Sequence, residues 1–234
     1  MSRRNVADYL VRFGENELII SSEVYKNELS GKMSAEAYYK TLERMCAKGE
    51  LDKIAKGIYY KPKKTKYGVI PPSDQDIVDT FINNNQGTVV GYSIYNELGL
   101  TTQVPKKIEV LTSRLAGQTK TIRDVSVKYV DLLFTNRNVT MVQAMDVIEN
   151  YYKIQDKDYC ALIRFFDTFS SQYDEVTFEY VHSKMHYHKS SIAFLSEILC
   201  YYGVTNHLDK YLSTLSNYKH PRMEEIYESA QAHG

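Results

Sequence analysis

The chain has 234 residues, 43% hydrophobic and 25% charged, a globular usage that excludes a disordered or collagen-like chain and allows one large domain or two modest ones. Its 29 basic and 29 acidic residues cancel, so total charge points to no partner. The distribution does: residues 1–70 hold 14 Lys/Arg against 9 Asp/Glu and the remainder 15 against 20, the asymmetry of a basic unit joined to a neutral or acidic one.

The opening "SRRNVADYLVRF" reads as a helix with Ser2 as cap, Val6, Leu10 and Phe13 on one apolar face, Arg3, Arg4 and Arg12 outside it, and Gly14 as its end. "IISSEVYKNEL" reads as a short strand or turn entering a second helix, capped by Ser21 or Ser22, with Val24, Tyr25 and Leu29 inward. "MSAEAYYKTLERMCAKG" is the clearest helix of the chain. Ser34 caps it, Glu36 lies in its positive first turn, Ala35, Tyr38, Leu42 and Met45 form the inward stripe, and Lys48-Gly49 ends it. In "LDKIAKGIYYKPKKTK", Leu51, Ile54, Ile58 and Tyr60 are expected to pack on this third helix, and Lys56-Gly57 to turn between two short strands.

Three short helices followed by a hairpin have the order of a winged helix-turn-helix. That order gives the lysines a physical reason, because a hairpin beside a recognition helix sets cations against phosphates on both sides of a groove. Tyr39, Lys40, Glu43 and Arg44 lie away from the inward stripe and are expected at the major groove, with Lys40 and Arg44 as base or phosphate donors. Glu43 is open to three roles: accepting from a cytosine amino group, pairing with a lysine, or facing water. Lys56 is the expected turn contact, with Arg3, Arg4, Ser34, Lys53, Lys61 and Lys63 as further DNA contacts, although Lys61, Lys63, Lys64 and Lys66 also fit linker charges. Tyr59 and Tyr60 read as packing residues. The same unit also fits a protein-docking module.

"GVIPPSDQD" marks the expected boundary, giving a DNA-binding domain over 1–70 and a second domain over 71–234. Ser73 caps "DQDIVDTFINNN", "TVVGYSIYNELGL" reads as a short helix, and "KKIEVLTS" and "VSVKYVDLLFT" read as strands around the polar "RLAGQTKTIRD". Four helical segments follow, the first capped by Thr140, and a polar tail or frayed helix runs from about 213. The fold class expected is α+β: a winged helix-turn-helix joined to a mixed, largely helical domain with a small sheet.

Catalytic chemistry is sparse. There is no phosphate-cradling GxxxxGK[ST] and no GxSxG elbow, and Asp124 with Lys128 lacks the second carboxylate of a nuclease site. His182, His186 and His188 form the one histidine cluster, without the glutamate of an HExxH site, and read as surface or packing residues. Cys46, Cys160 and Cys200 form no CxxC and predict reduced thiols. No apolar run reaches membrane-spanning length, and the opening lacks a secretory leader. A cytoplasmic non-enzyme with no cofactor and no metal is expected.

From the basic N-terminal unit closing in "KGIYY" to "LGLTTQVP" and the strand reaching Thr112, about residues 3–135, the chain resembles the AbiEi-type antitoxins of type IV toxin–antitoxin systems. The resemblance implies a winged helix that binds inverted repeats in its own promoter, with the recognition helix on Ser34 to Lys48 and the wing on Lys56, Gly57, Ile58 and Tyr59. It also implies neutralisation of a nucleotidyltransferase-like toxin without a stable complex. It brings no catalytic residues. "TSRLAG" departs from the family, where a glycine commonly follows the threonine sooner. The alternative is a transcription regulator whose second domain senses a ligand or partner.

Overall fold

A computed structural model describes residues 6–115, 119–213 and 215–233. The chain is α+β, with an N-terminal helix-and-strand region followed by small sheets and a largely helical second part. The N-terminal region runs α1 (Val6–Leu10), β1 (Leu18–Ile20), α2 (Ser21–Val24, continued by a π-helical turn over Tyr25–Leu29), α3 (Ala35–Ala47), β2 (Asp52–Ala55) and β3 (Ile58–Tyr60). The expected cap of the first helix, Ser2, lies outside the described residues. Neither Ser21 nor Ser22 acts as the expected side-chain cap of α2; the Ser21 hydroxyl instead donates to the Gly57 carbonyl at 2.8 Å. α3 begins as its sequence dictates, with Ala37 N–H donating to the Ser34 hydroxyl, but Ala35 is exposed and the inward face is carried by Tyr38 and Leu42.

The three strands form an antiparallel sheet in the order β1-β3-β2, with Ile19 opposite Tyr59 and Ile20 opposite Ile58. Successive side chains on a strand point to opposite faces. Ile19 and Tyr59 therefore enter a cluster with Leu51, Tyr38 and Leu42, while Leu18, Ile20, Ile58 and Tyr60 turn away from α3 into a second cluster. This corrects the expectation that Ile54, Ile58 and Tyr60 pack on the third helix, where only Leu51 of the expected four is found: Ile54 packs with the second cluster, and β3 is buried on both faces, its two-residue period assigning Tyr59 alone to the α3 side. Lys56-Gly57 is the expected tight turn, with Gly57 at φ +76°.

Of the residues read as linker charges, Lys63, Lys64 and Lys66 belong to a further hairpin, β4 (Lys63–Thr65) with β5 (Gly68–Ile70). α4 (Asp74–Ile82) then opens with a reciprocal capping box between Ser73 and Asp76, whose carboxyl those bonds hold below its usual range. β6 (Gly87–Val90) follows, then α5 (Tyr92–Glu97), β7 (Ile108–Thr112), β8 (Thr119–Ile122) and β9 (Val125–Tyr129). The sheet order is β6-β7-β9-β8, with β7 and β9 parallel. β6 was not expected from sequence. It runs so close to its neighbours that a Cβ on Gly87 would lie 2.4 Å from the carbonyl oxygens of Leu111 and Phe81. Part of the "RLAGQTKTIRD" connection, residues 116–118, lies outside the described residues.

α6 (Asn136–Asn150) is capped by Thr135 rather than Thr140, which sits inside the helix and donates to the Asn136 carbonyl. α7 (Tyr159–Ser171), α8 (Glu175–Met185) and α9 (Lys189–Tyr201) complete the large core with Phe166, Phe178, Phe194 and Leu195. Of the frayed helix or polar tail expected from about 213, the structure has the helix, α10 (Met223–His233), and it is not frayed: it docks on α7 and α9 through buried Met223, Ile226 and Ala230. Spacing of three and four residues puts these on one stripe, enough to hold a helix whose composition is otherwise polar.

Candidate nucleic-acid interface

α3 buries one face and leaves the other in solvent. Tyr39, Lys40, Glu43 and Arg44 are all exposed on it, and Ser34 is exposed at its start. Lys40 pairs with Glu36 one turn back at 2.8 Å, an exposed pair weak enough to open for a stronger anion. Arg44 makes no ion pair among the described residues. The helix has 13 residues, and at 1.5 Å per residue its length is about 20 Å, a rod that a major groove about 12 Å wide accepts.

Beside the Tyr39–Glu43 edge of α3, Lys53 and Lys56 rise from β2 and its turn, both exposed. A cleft of about 470 Å³ opens there between Tyr39, Glu43, Lys53, Lys56, Leu115 and Lys120. Lys120, on β8, donates its ammonium to the Lys56 carbonyl at 2.7 Å. Burial, and then the Lys56 charge, pull its pKa below the usual lysine value.

At the far end of α3 lies the β4–β5 hairpin, whose Lys64 ammonium comes within 4.0 Å of where a Gly49 Cβ would stand. Lys63, Lys64 and Lys66 are exposed, and Tyr67 at the turn is 88% exposed with the Lys66 ammonium 4.9 Å from its ring centre. Lys64, Lys66, Tyr67 and Lys120 were not among the expected site residues. The signal for the hairpin was Gly68, which adopts φ +119°; Lys120 had none, since only the tertiary fold carries it to the cleft.

Lys61 does not join this surface. Half-buried, it donates to the carbonyls of Phe13 at 2.7 Å and Val11 at 3.3 Å, so it holds the segment following α1. Arg3 and Arg4 lie outside the described residues.

The other candidates separate. His182 stacks between Phe178 and Tyr187, and its Nδ1 accepts from the Tyr187 N–H at 3.2 Å; burial lowers its pKa. His186 ends α8 in the left-handed region, and His188 pairs with Glu149 at 2.5 Å. Asp124 and Lys128 are both exposed, four residues apart along an extended segment, roughly 13 Å, so they share no reaction centre. Asp146 is raised in pKa by burial and accepts from Gly91 N–H and the Tyr95 hydroxyl, both at 2.7 Å, which ties α5 to α6. In "LGLTTQVP", Thr101 donates to the Gln155 carbonyl and Gln103, at the surface, to the Asp156 carboxylate, so both side chains are held by the 155–156 segment, while Val104 stays 79% exposed. Among the described residues no group of three His, Cys, Asp or Glu could hold a metal ion, and no helix is long and apolar enough to cross a membrane.

A model of a family of unknown function, DUF6088, matches residues 21–157. No curated protein matches the chain. The crystal structure of the RV2827C protein from Mycobacterium tuberculosis is similar over 80% of this chain and 73% of that one, at 11% identity and a TM-score of 0.39.

Proposed function

We propose that this chain, which belongs to the DUF6088 family of unknown function, binds duplex DNA through a winged helix-turn-helix and represses its own operon as the antitoxin of a type IV system. The carrying observation is the exposed outer face of α3, with Lys53 and Lys56 beside its Tyr39–Glu43 edge and the Lys64 ammonium of the β4–β5 hairpin near Gly49 at its C-terminal end. The order helix–strand–helix–helix–strand–strand and the sheet order β1-β3-β2 support the winged-helix reading. With α3 in the major groove, Arg44 and Lys40 reach base edges or phosphates, and the lysines on either side meet the sugar–phosphate rails. In this arrangement the β4–β5 hairpin, rather than the two-residue turn at Lys56-Gly57, is the larger projecting arm. The antitoxin half of the proposal rests on the resemblance carried by "KGIYY" and "LGLTTQVP"; its partner is a nucleotidyltransferase-like toxin that is not held in a stable complex.

A mobility shift with the DNA immediately upstream of the gene, against an unrelated duplex, tests the reading. A selective shift that weakens steeply with salt is expected. Equal, salt-insensitive behaviour of the two duplexes refutes it.

A further inference from the structure

We infer that Lys53, Lys56 and Lys120 form a phosphate seat in the cleft between two sheet edges, and that the seat takes a backbone phosphodiester of the duplex lying on α3. This rests on the DNA-binding reading and extends it beyond the N-terminal unit. β2 is an edge of the first sheet and β8 an edge of the second, and the two run side by side. Their contact brings Lys120 to the Lys56-Gly57 turn: its ammonium donates to the Lys56 carbonyl at 2.7 Å and lies 3.9 Å from where a Gly57 Cβ would stand.

Among the described residues none of the three lysines has an ion-pair partner, and Glu43 is the one carboxylate lining the cleft. Three ammonium groups lining one cleft with a single carboxylate leave an excess of positive charge, the Lys56 charge already opposing that of Lys120, and an anion between them offsets that repulsion. Lysines on edge strands also deter pairing with other chains. That role is served by side chains extended into solvent, whereas Lys120 turns inward. Because Tyr39 and Glu43 of α3 form the opposite wall, an anion seated here lies beside the helix, where the rail of a groove runs when the helix occupies it.

The test uses the full chain and a fluorescent duplex carrying the upstream DNA, titrated over a range of salt with the wild type, Lys120→Gln and Lys120→Arg, and with thermal unfolding recorded in parallel. Glutamine removes the charge and retains an N–H donor on a slightly shorter side chain. Lys120→Gln is expected to lower the slope of log affinity against log salt by about 0.9 with an unchanged melting temperature, and Lys120→Arg to restore it. A wild type that binds the duplex with a slope Lys120→Gln leaves intact overturns the seat and leaves the DNA reading standing. A wild type that binds no duplex overturns both. Inorganic phosphate at matched ionic strength forms the remaining arm: if it raises the melting temperature of the wild type but not of Lys120→Gln while the duplex slope is equal in both, the cleft serves a free phosphate and the duplex assignment fails.

Discussion

Replacing Lys63, Lys64 and Lys66 together by alanine removes the cations of the β4–β5 hairpin and nothing of the core, since all three are exposed and the turn residue Tyr67 stands in solvent. Each phosphate neutralised on a duplex contributes about 0.9 to the salt slope, so three lost contacts lower it by about 2.7; between about 50 and 200 mM salt that difference amounts to roughly forty-fold in affinity. Fluorescence anisotropy with a labelled duplex at four or more salt concentrations reads the slope directly. The melting temperature is expected to stay within error, because the Lys66–Tyr67 contact is exposed and worth at most about 1 kcal/mol. Lys61→Ala is the matched control: it removes a lysine from the same stretch but breaks hydrogen bonds to the Phe13 and Val11 carbonyls. It should lower the melting temperature and leave the slope alone. A triple variant with the wild-type slope, or a Lys61 variant that changes the slope by as much as the triple one, refutes the division between hairpin cations that meet DNA and a lysine that holds the fold.

Arg44→Ala should relax selectivity at one base position by about 1–3 kcal/mol, measured by binding to a set of single-substituted duplexes, if the residue reads a base. Met223→Ala, at a side chain with no exposure, should cost about 2–5 kcal/mol in denaturant unfolding, whereas a dispensable tail would tolerate it. His182 has its pKa lowered by burial, so the unfolded chain takes up its proton first as pH falls: its contribution is intact above the ordinary value of 6.5 and is lost progressively below it. His182→Gln should flatten the fall in stability between about pH 7 and 5, measured by urea unfolding at each pH.

What could be read from sequence was what local chemistry decides. α3 announced itself through Ser34, its apolar stripe and Gly49, because a cap, a period of 3.6 and a left-handed glycine act within a few residues of one another. β3 could be recognised but not oriented. Ile58, Tyr59 and Tyr60 are all apolar and all buried, so alternation carries no sign saying which face meets α3. The β4–β5 hairpin left no apolar imprint because it covers no core, and "KKTKYG" reads the same whether the lysines lie on a linker or a paired strand. β6 was hidden for the opposite reason: only Gly91 separates "TVV" from the helical "YSIYNE", and the close approach that demands Gly87 comes from Phe81 and Leu111 in other elements. At the C terminus a helix could be read, but the polar average concealed that Met223, Ile226 and Ala230 form a stripe able to dock it.

The apolar cluster that crosses position 70 bears on regulation. Leu18, Ile20, Ile58 and Tyr60 pack with Ile77, Phe81, Val110, Leu115, Ile122 and Val127, so the sheet that supports α3 from behind is also a wall of the following sheet's core. Glu23 and Arg114 fasten the same junction with a forked, largely shielded pair, and Arg114 donates as well to the Thr80 carbonyl. A hinge after residue 70 would have to expose that apolar surface, a cost of several kcal/mol, and separate the Glu23–Arg114 pair as well. α3 therefore does not swing on the Pro71-Pro72 segment as a bead on a linker. The two sheets meet along β2 and β8 beside the Lys53–Lys56–Lys120 cleft, so a displacement of the second part would act on α3 through elements already in contact.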